Sequence, residues 1–174
     1  MRLFIAIPIP PDVRRAVVLA SNLLAESGAR GRFVPQSNFH ITLHYIGETD
    51  DLVGAVDALR LAVRDIRPFV LRLGDYGGFG GKKGRTTYLS VSCDTDELDN
   101  LYESLESALW EQGFAKNRGR LTPHITLARN VVGDEDFNPI LQNAAFTADT
   151  VILYESRADG ERMRYTAVHR ERLS

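Results

Sequence analysis

A single cysteine, Cys93, stands in a chain of 174 residues. It cannot close an intrachain disulfide or build a cysteine-rich zinc site, which fits a reducing compartment and makes the cytosol the expected location. An excess of one charge is also missing, since 21 basic and 23 acidic side chains leave a formal net charge of −2. Global electrostatics is therefore silent about a polyanionic partner, which a local patch would have to hold. Lysine is scarce, with only Lys82, Lys83 and Lys116, so arginine carries the positive charge. Long apolar runs are absent. Leu3 to Ile9 is too short to cross a membrane, has no small-residue cleavage site behind it and meets Pro10-Pro11, so it reads as a first strand and no membrane partner is expected. With 44% hydrophobic and 25% charged residues, disorder and coiled coil are both disfavoured. The length suits one sizeable core or two small joined lobes.

What is present is a regular succession of elements. Val13, Val17, Ala20 and Leu24 fall at helical intervals between Pro11 and Gly28, and Phe39 to Ile46 reads as a strand. Thr49-Asp50-Asp51 opens a helix from about Leu52 to Arg67, and Phe69 to Leu73 and Thr86 to Cys93 read as strands around a glycine-rich turn, Gly77 to Gly84. Leu98, Leu101, Leu105 and Leu109 line one face of a helix from Asp96 to Gln112. The remainder predicts a strand over Pro123 to Ala128, a short helix over Asp134 to Asn143, and a closing hairpin around Asp159-Gly160. No linker separates the halves.

One tetrapeptide recurs: His40-Ile41-Thr42-Leu43 reappears as His124-Ile125-Thr126-Leu127, 84 positions later. The same offset lays the strand Leu3 to Ile7 onto Thr87 to Val91 and the helix Pro11 to Ser27 onto Thr95 to Glu111. The expectation is an α+β fold and a single bilobal domain over residues 1–174. It would contain two lobes, each an antiparallel sheet with outer helices, related by a pseudo-twofold about a central cleft.

Along a strand, side chains i and i+2 share a face, so His40 and Thr42 point one way and Ile41 and Leu43 the other; His124 and Thr126 behave likewise. A twofold would bring two imidazoles and two hydroxyls together, which suits a phosphate. In-line displacement at phosphorus needs a base on the entering oxygen and an acid on the leaving one, and a histidine pair supplies both without a metal. Thr42 and Thr126 are candidate donors to the non-bridging oxygens. Arg129 is the nearest candidate cation, although strict alternation puts it on the opposite face unless the strand ends or bulges near Ala128. By the same alternation His44 joins the polar face as a third imidazole.

A zinc site of His40, His44 and His124 would ordinarily recruit a carboxylate or thiolate, and none lies at ligand spacing, so no metal or cofactor is expected. A module that merely grips a phosphate would favour Arg or Lys over side chains that titrate near neutral pH. Lys82, Lys83 and Arg85, with Lys116, Arg118 and Arg120, could form a local basic patch, although charged loops are more often simply solvated.

Taken together, Arg2-Leu3-Phe4-Ile5-Ala6, Arg32-Phe33-Val34-Pro35, Asn38 to Leu43, Pro123 to Arg129 and the stretch from Phe146 to Ser156 resemble a known family. It is the two-histidine phosphoesterases, in particular the bacterial and archaeal RNA 2′,3′-cyclic phosphodiesterases, also called 2′-5′ RNA ligases. The resemblance spans nearly the whole chain. It implies metal-independent hydrolysis of an RNA 2′,3′-cyclic phosphate end to a 2′-phosphate, with reversible 2′-5′ ligation of tRNA halves in some members. It also implies catalytic roles for His40 and His124, phosphate binding by Thr42, Thr126 and Arg129, and an aromatic near the nucleobase at Tyr45. The expected partner is RNA with a cyclic phosphate end, or a cyclic nucleotide, acted on by a monomer. A small cyclic phosphate such as ADP-ribose 1″,2″-cyclic phosphate is the alternative substrate. The chain departs from the family where a lysine is common, four residues past the first histidine, and carries His44 there.

Overall fold

The computed structural model describes residues 1–81 and 83–174, and Lys82 lies outside the described residues. The chain runs β1 (Arg2–Pro8), α1 (Pro11–Glu26), β2 (Arg30–Phe33), β3 (His40–Glu48), α2 (Leu52–Val63), β4 (Phe69–Gly81), β5 (Gly84–Cys93), α3 (Glu97–Glu111), β6 (His124–Val132), β7 (Ala145–Ala148), β8 (Thr150–Asp159) and β9 (Arg162–Arg172). The α+β expectation holds: two antiparallel sheets stand in the orders β3-β1-β8-β9 and β2-β6-β5-β4-β7. Leu3 to Ile7 form a continuous apolar run because β1 is an inner strand, paired on both edges, and these five residues are buried. On α3, Leu101, Leu105 and Leu109 are fully buried. Each stabilises the fold by about 1.5–3 kcal/mol relative to exposure.

Elements 84 positions apart occupy matching places. β3 and β6 begin with the same burial pattern over their first five residues, and β1 lies beside β3 as β5 lies beside β6. The next strand in each sheet comes from the other half of the chain: β8 pairs with β1, and β4 pairs with β5. The helices cross over too, with α1 touching β6 and α3 touching β3. Neither sheet is assembled from one half alone.

Two sequence expectations fail locally. The glycine-rich segment is strand rather than turn, since β4 pairs with β5 as far as Gly81 opposite Gly84. The expected helix over residues 134–143 is absent. Pro139 lacks a backbone donor and restricts Asn138 before it. Asp134 does not cap a helix; its buried carboxylate accepts hydrogen bonds from the Tyr76 hydroxyl at 2.7 Å and from Arg85 at 2.9 Å.

The register contains the feature on which the site depends. Consecutive residues Ile5 and Ala6 of β1 face His44 and Thr42 of β3, leaving Leu43 as an extra residue. Thr87 and Tyr88 of β5 face Ala128 and Thr126 of β6, leaving Leu127 extra in the equivalent place. A β-bulge of this kind turns the following side chains onto the other face. β6 carries a second irregularity at Asn130, whose φ is 54°, where its register shifts against both β2 and β5.

Both neighbours of that second bulge meet it with glycine. A Cβ at Gly31 would lie 2.9 Å from Val131 Cγ2 and 3.0 Å from the Arg129 carbonyl oxygen. At Gly84, with φ of +140°, a Cβ would come within 3.1 Å of Asn130 Cα. Gly31→Ala is expected to cost about 1–3 kcal/mol of stability by overpacking. The control Gly81→Ala, where nothing lies within 4 Å, should stay within about 0.5 kcal/mol. Urea unfolding with unchanged slope measures the difference, and equal midpoints would refute the clamp.

Candidate active site

β3 and β6 contact one another between the two sheets and carry the two His-x-Thr motifs. The His40 ring is fixed at one end, where Nδ1 lies 2.7 Å from the Asn38 carbonyl oxygen. A carbonyl only accepts, so Nδ1 carries the proton and Nε2 is the basic nitrogen of the neutral ring. The Thr42 hydroxyl, 2.8 Å away, donates to Nε2. His124 repeats the anchor, its Nδ1–H donating to the Thr122 carbonyl at 2.6 Å. Each motif thus uses a carbonyl two residues upstream to select the tautomer. Thr126 lies two residues beyond His124 on the same face and is half-buried.

Aromatic rings hold both imidazoles. Phe4 lies 5.0 Å from His40 at 40°, and Tyr88, 84 positions after Phe4, lies 5.1 Å from His124 at 42°. Tyr165 packs edge-on to His40 at 5.4 Å, and Phe79 edge-on to His124 at 5.3 Å. Burial of the His40 ring lowers its pKa to about 4. The hydrogen bond to Asn38 opposes this shift, and the charges of Arg129 and His124 reinforce it. Burial also raises the phenols of Tyr154 and Tyr165 above their ordinary range, so both remain neutral donors.

A cleft of about 240 Å³ opens over this arrangement, lined by His40, Thr42, Tyr45 and Arg129. The bulge at Leu127 resolves the placement of Arg129: Leu127 and Ala128 are both buried, and the alternation resumes with Arg129 exposed on the cleft. Tyr45, its counterpart 84 positions earlier, is turned into the same cleft by the bulge at Leu43 and is 50% exposed. His124 is not on the lining of this cleft, although its charge acts on His40.

The expectation that His44 adds a third imidazole to the polar face is wrong. It is 2% exposed, on the opposite side of β3, with Nδ1–H donating to Glu106 of α3. The same bulge that turns Tyr45 outward sends His44 inward. His40, His44 and His124 therefore do not converge, and among the described residues no group of three or more His, Cys, Asp or Glu is placed to hold a metal ion. Glu106 also accepts from the Asn117 backbone N–H at 2.8 Å, and Asn117 Nδ2 donates to the Leu43 carbonyl at 3.3 Å. This ring ties the first motif to the segment that leads into the second.

Sequence reasoning missed the aromatic cage. Its signal was available, because the offset that pairs the two motifs also pairs Phe4 with Tyr88. Tyr165 and Phe79 carried no such signal. Of the basic residues weighed as a patch, Arg85 is engaged by Asp134, and Lys116 lies 5.5 Å over the exposed Trp110 ring.

Known proteins similar to this chain span nearly its whole length. The RNA 2′,3′-cyclic phosphodiesterase of Thermotoga maritima is 29% identical, over 95% of this chain and 100% of its own length. The RNA 2′,3′-cyclic phosphodiesterase of Escherichia coli K12 is also 29% identical, over 99% and 97%. The crystal structure of Escherichia coli LigT complexed with 3′-AMP superposes with a TM-score of 0.84 at 28% identity, covering 99% of this chain and 98% of that one. The model of the 2′-5′ RNA ligase superfamily matches residues 14–160, and the chain belongs to that superfamily.

Proposed function

We propose that this protein is an RNA 2′,3′-cyclic phosphodiesterase that opens the cyclic end to a 2′-phosphate by histidine acid–base catalysis, with no metal taking part. The observation that carries this reading is the pair of carbonyl-anchored imidazoles on adjoining strands beside a cleft lined by Thr42 and Arg129. The activity of the similar phosphodiesterases supports it. Residues 1–174 are read as one duplicated unit, because the exchanged strands leave neither half with a complete sheet. Every group invoked comes from a single chain, so a monomer suffices. No helix among the described residues is long and apolar enough to cross a membrane, and the free cysteine suits the cytosol.

In this mechanism His40, neutral in the free protein, takes a proton from water as the oxygen attacks phosphorus. The P–O3′ bond breaks, and protonated His124 gives its proton to the departing O3′. The products are a free 3′-hydroxyl and a 2′-phosphate. Thr42 turns its hydroxyl from Nε2 to a non-bridging oxygen, Thr126 offers its hydroxyl to the phosphate from the opposite strand, and Arg129 faces the growing negative charge. Tyr45, half exposed at the rim, offers a stacking surface to the base. A 5′-hydroxyl of a second RNA in place of water gives a 2′,5′ linkage by the same proton transfers.

His40→Ala and His124→Ala are each expected to lower kcat by about 10² or more, and Thr42→Ala or Thr126→Ala to cost about 1.5–3 kcal/mol of transition-state stabilisation. Phosphorus NMR of a short RNA with a cyclic phosphate end, in excess EDTA, measures both rate and regiochemistry. Near-full activity of either histidine variant would refute the mechanism, as would formation of a 3′-phosphate.

The pH dependence has a definite sign. A base must be unprotonated, and a depressed pKa keeps His40 unprotonated to lower pH. The acid limb of kcat/KM, which reports the free enzyme, should therefore fall away near pH 4 and not near the usual imidazole value of about 6.5. An acid limb near the ordinary imidazole value would reassign the base.

A further inference from the structure

A second cleft, of about 200 Å³, adjoins the first and shares Arg129, Met163 and Tyr165 with it. Its far side is formed by Arg32 and Phe33 of β2 and by Arg162 at the start of β9. Arg32 stands directly opposite Arg129 in the β2–β6 ladder. Like charges in that position repel and weaken the pairing. Among the described residues, none of Arg32, Arg129 and Arg162 has a carboxylate within ion-pair distance. Glu161 lines the same cleft without reaching any of them. Elsewhere Arg60, Arg72, Arg85, Arg157 and Arg164 are all paired with acids. Three uncompensated guanidinium groups around one concavity form a site for an anion, and guanidinium is the side chain that best matches phosphate.

One of the three, Arg129, already faces the proposed reaction, so the remaining two define where a second phosphate would sit. A ribose with a cyclic phosphate across O2′ and O3′ presents its C5′ substituent at the other end of the sugar ring. We infer that the second cleft binds a phosphate carried on C5′ of the ribose whose cyclic phosphate is opened, with Arg32 and Arg162 as its ligands. This rests on the phosphodiesterase reading of the neighbouring cleft. Phe33 and Tyr165 supply flat apolar walls for whatever lies beyond that phosphate. The same chemistry has two sources, the phosphodiester of an RNA strand and the pyrophosphate of an ADP-ribose type molecule.

The test compares uridine 2′,3′-cyclic phosphate with its 5′-phosphorylated form, on the wild-type protein and on the double variant Arg32→Gln/Arg162→Gln. The 5′-phosphate is expected to raise kcat/KM about tenfold or more, mainly through KM, as one or two charge-assisted hydrogen bonds would. In the double variant the ratio between the two substrates should fall to about twofold or less, the residue of long-range attraction. Equal kcat/KM for the two substrates in the wild type, or a preference that survives in the double variant, would overturn the subsite. A dinucleotide ending in a cyclic phosphate and ADP-ribose 1″,2″-cyclic phosphate are compared next, and the better substrate identifies the source of the 5′-phosphate.

Absence of turnover on every substrate would refute the phosphodiesterase reading while leaving the subsite open to a separate measurement. Calorimetric titration with uridine 3′-phosphate and uridine 3′,5′-bisphosphate provides it. Tighter binding of the bisphosphate, lost in the double variant, would support the second anion site, and equal affinities would overturn it.

Discussion

One extra residue in each of two strands governs the site. Leu43 in β3 is unmatched by β1 and Leu127 in β6 is unmatched by β5, and each switches the alternation of side chains partway along its strand. Before the bulge, histidine and threonine share one face of their strand, and His40 and Thr42 line the cleft. After it, the following residue, His44 or Ala128, turns inward and the next, Tyr45 or Arg129, turns outward. Without the bulge in β6, the guanidinium would point into the core, where a charge is costly to bury. The cleft gains its cation and its exposed aromatic from equivalent bulges, one in each motif strand.

The remainder of the architecture holds these two strands against each other. Because β8 completes the sheet of β3 and β4 completes the sheet of β6, separating the sheets would strand an element on the wrong side. The part-buried ring of His44, Glu106 and Asn117 adds a local tie between the first bulge and the segment before His124. It has no counterpart in the second half, since His44 corresponds to Ala128, which has no side-chain polar group to offer. The tie costs desolvation of an imidazole and a carboxylate, which the mutual hydrogen bond and the Asn117 amide offset.

Most of the fold was legible because β1 is a short apolar run closed by prolines, because period-2 and period-3.6 patterns dominate the start of β3 and the helices α1 and α3, and because an identical tetrapeptide exposed the duplication. The errors have a common origin in backbone geometry that pattern cannot encode. Alternation carried through Leu43 put His44 on the cleft, since nothing in His-Ile-Thr-Leu-His-Tyr marks where the ladder skips a residue. The glycines from Gly77 to Gly81 read as a turn because glycine lowers strand propensity, yet here they lie in a long hairpin whose Phe79 and Tyr88 enclose His124. Asp134 read as a helix start, but its carboxylate was taken by Tyr76 and Arg85, partners 58 and 49 residues away. The strand exchange left no mark in the sequence, because each strand keeps the same in-out pattern whichever sheet it joins.

A pair of equivalent histidines has no inherent direction, and the departures from the twofold supply one. At corresponding positions the first motif is followed by neutral Tyr45 and the second by Arg129, so one cation stands in a cleft that perfect symmetry would give two or none. That cation lies beside His40 and disfavours its protonated form, reinforcing the larger effect of burial within Phe4, Tyr154 and Tyr165. In the proposed reaction the imbalance makes His40 the proton acceptor before substrate arrives and leaves His124 the donor's part. The same arginine faces Arg32 across the β2–β6 ladder, so the charge that breaks the symmetry of the histidines also extends an unneutralised strip away from them. Reaction polarity and the path of an anionic substrate would then follow from one side chain, placed by one bulge.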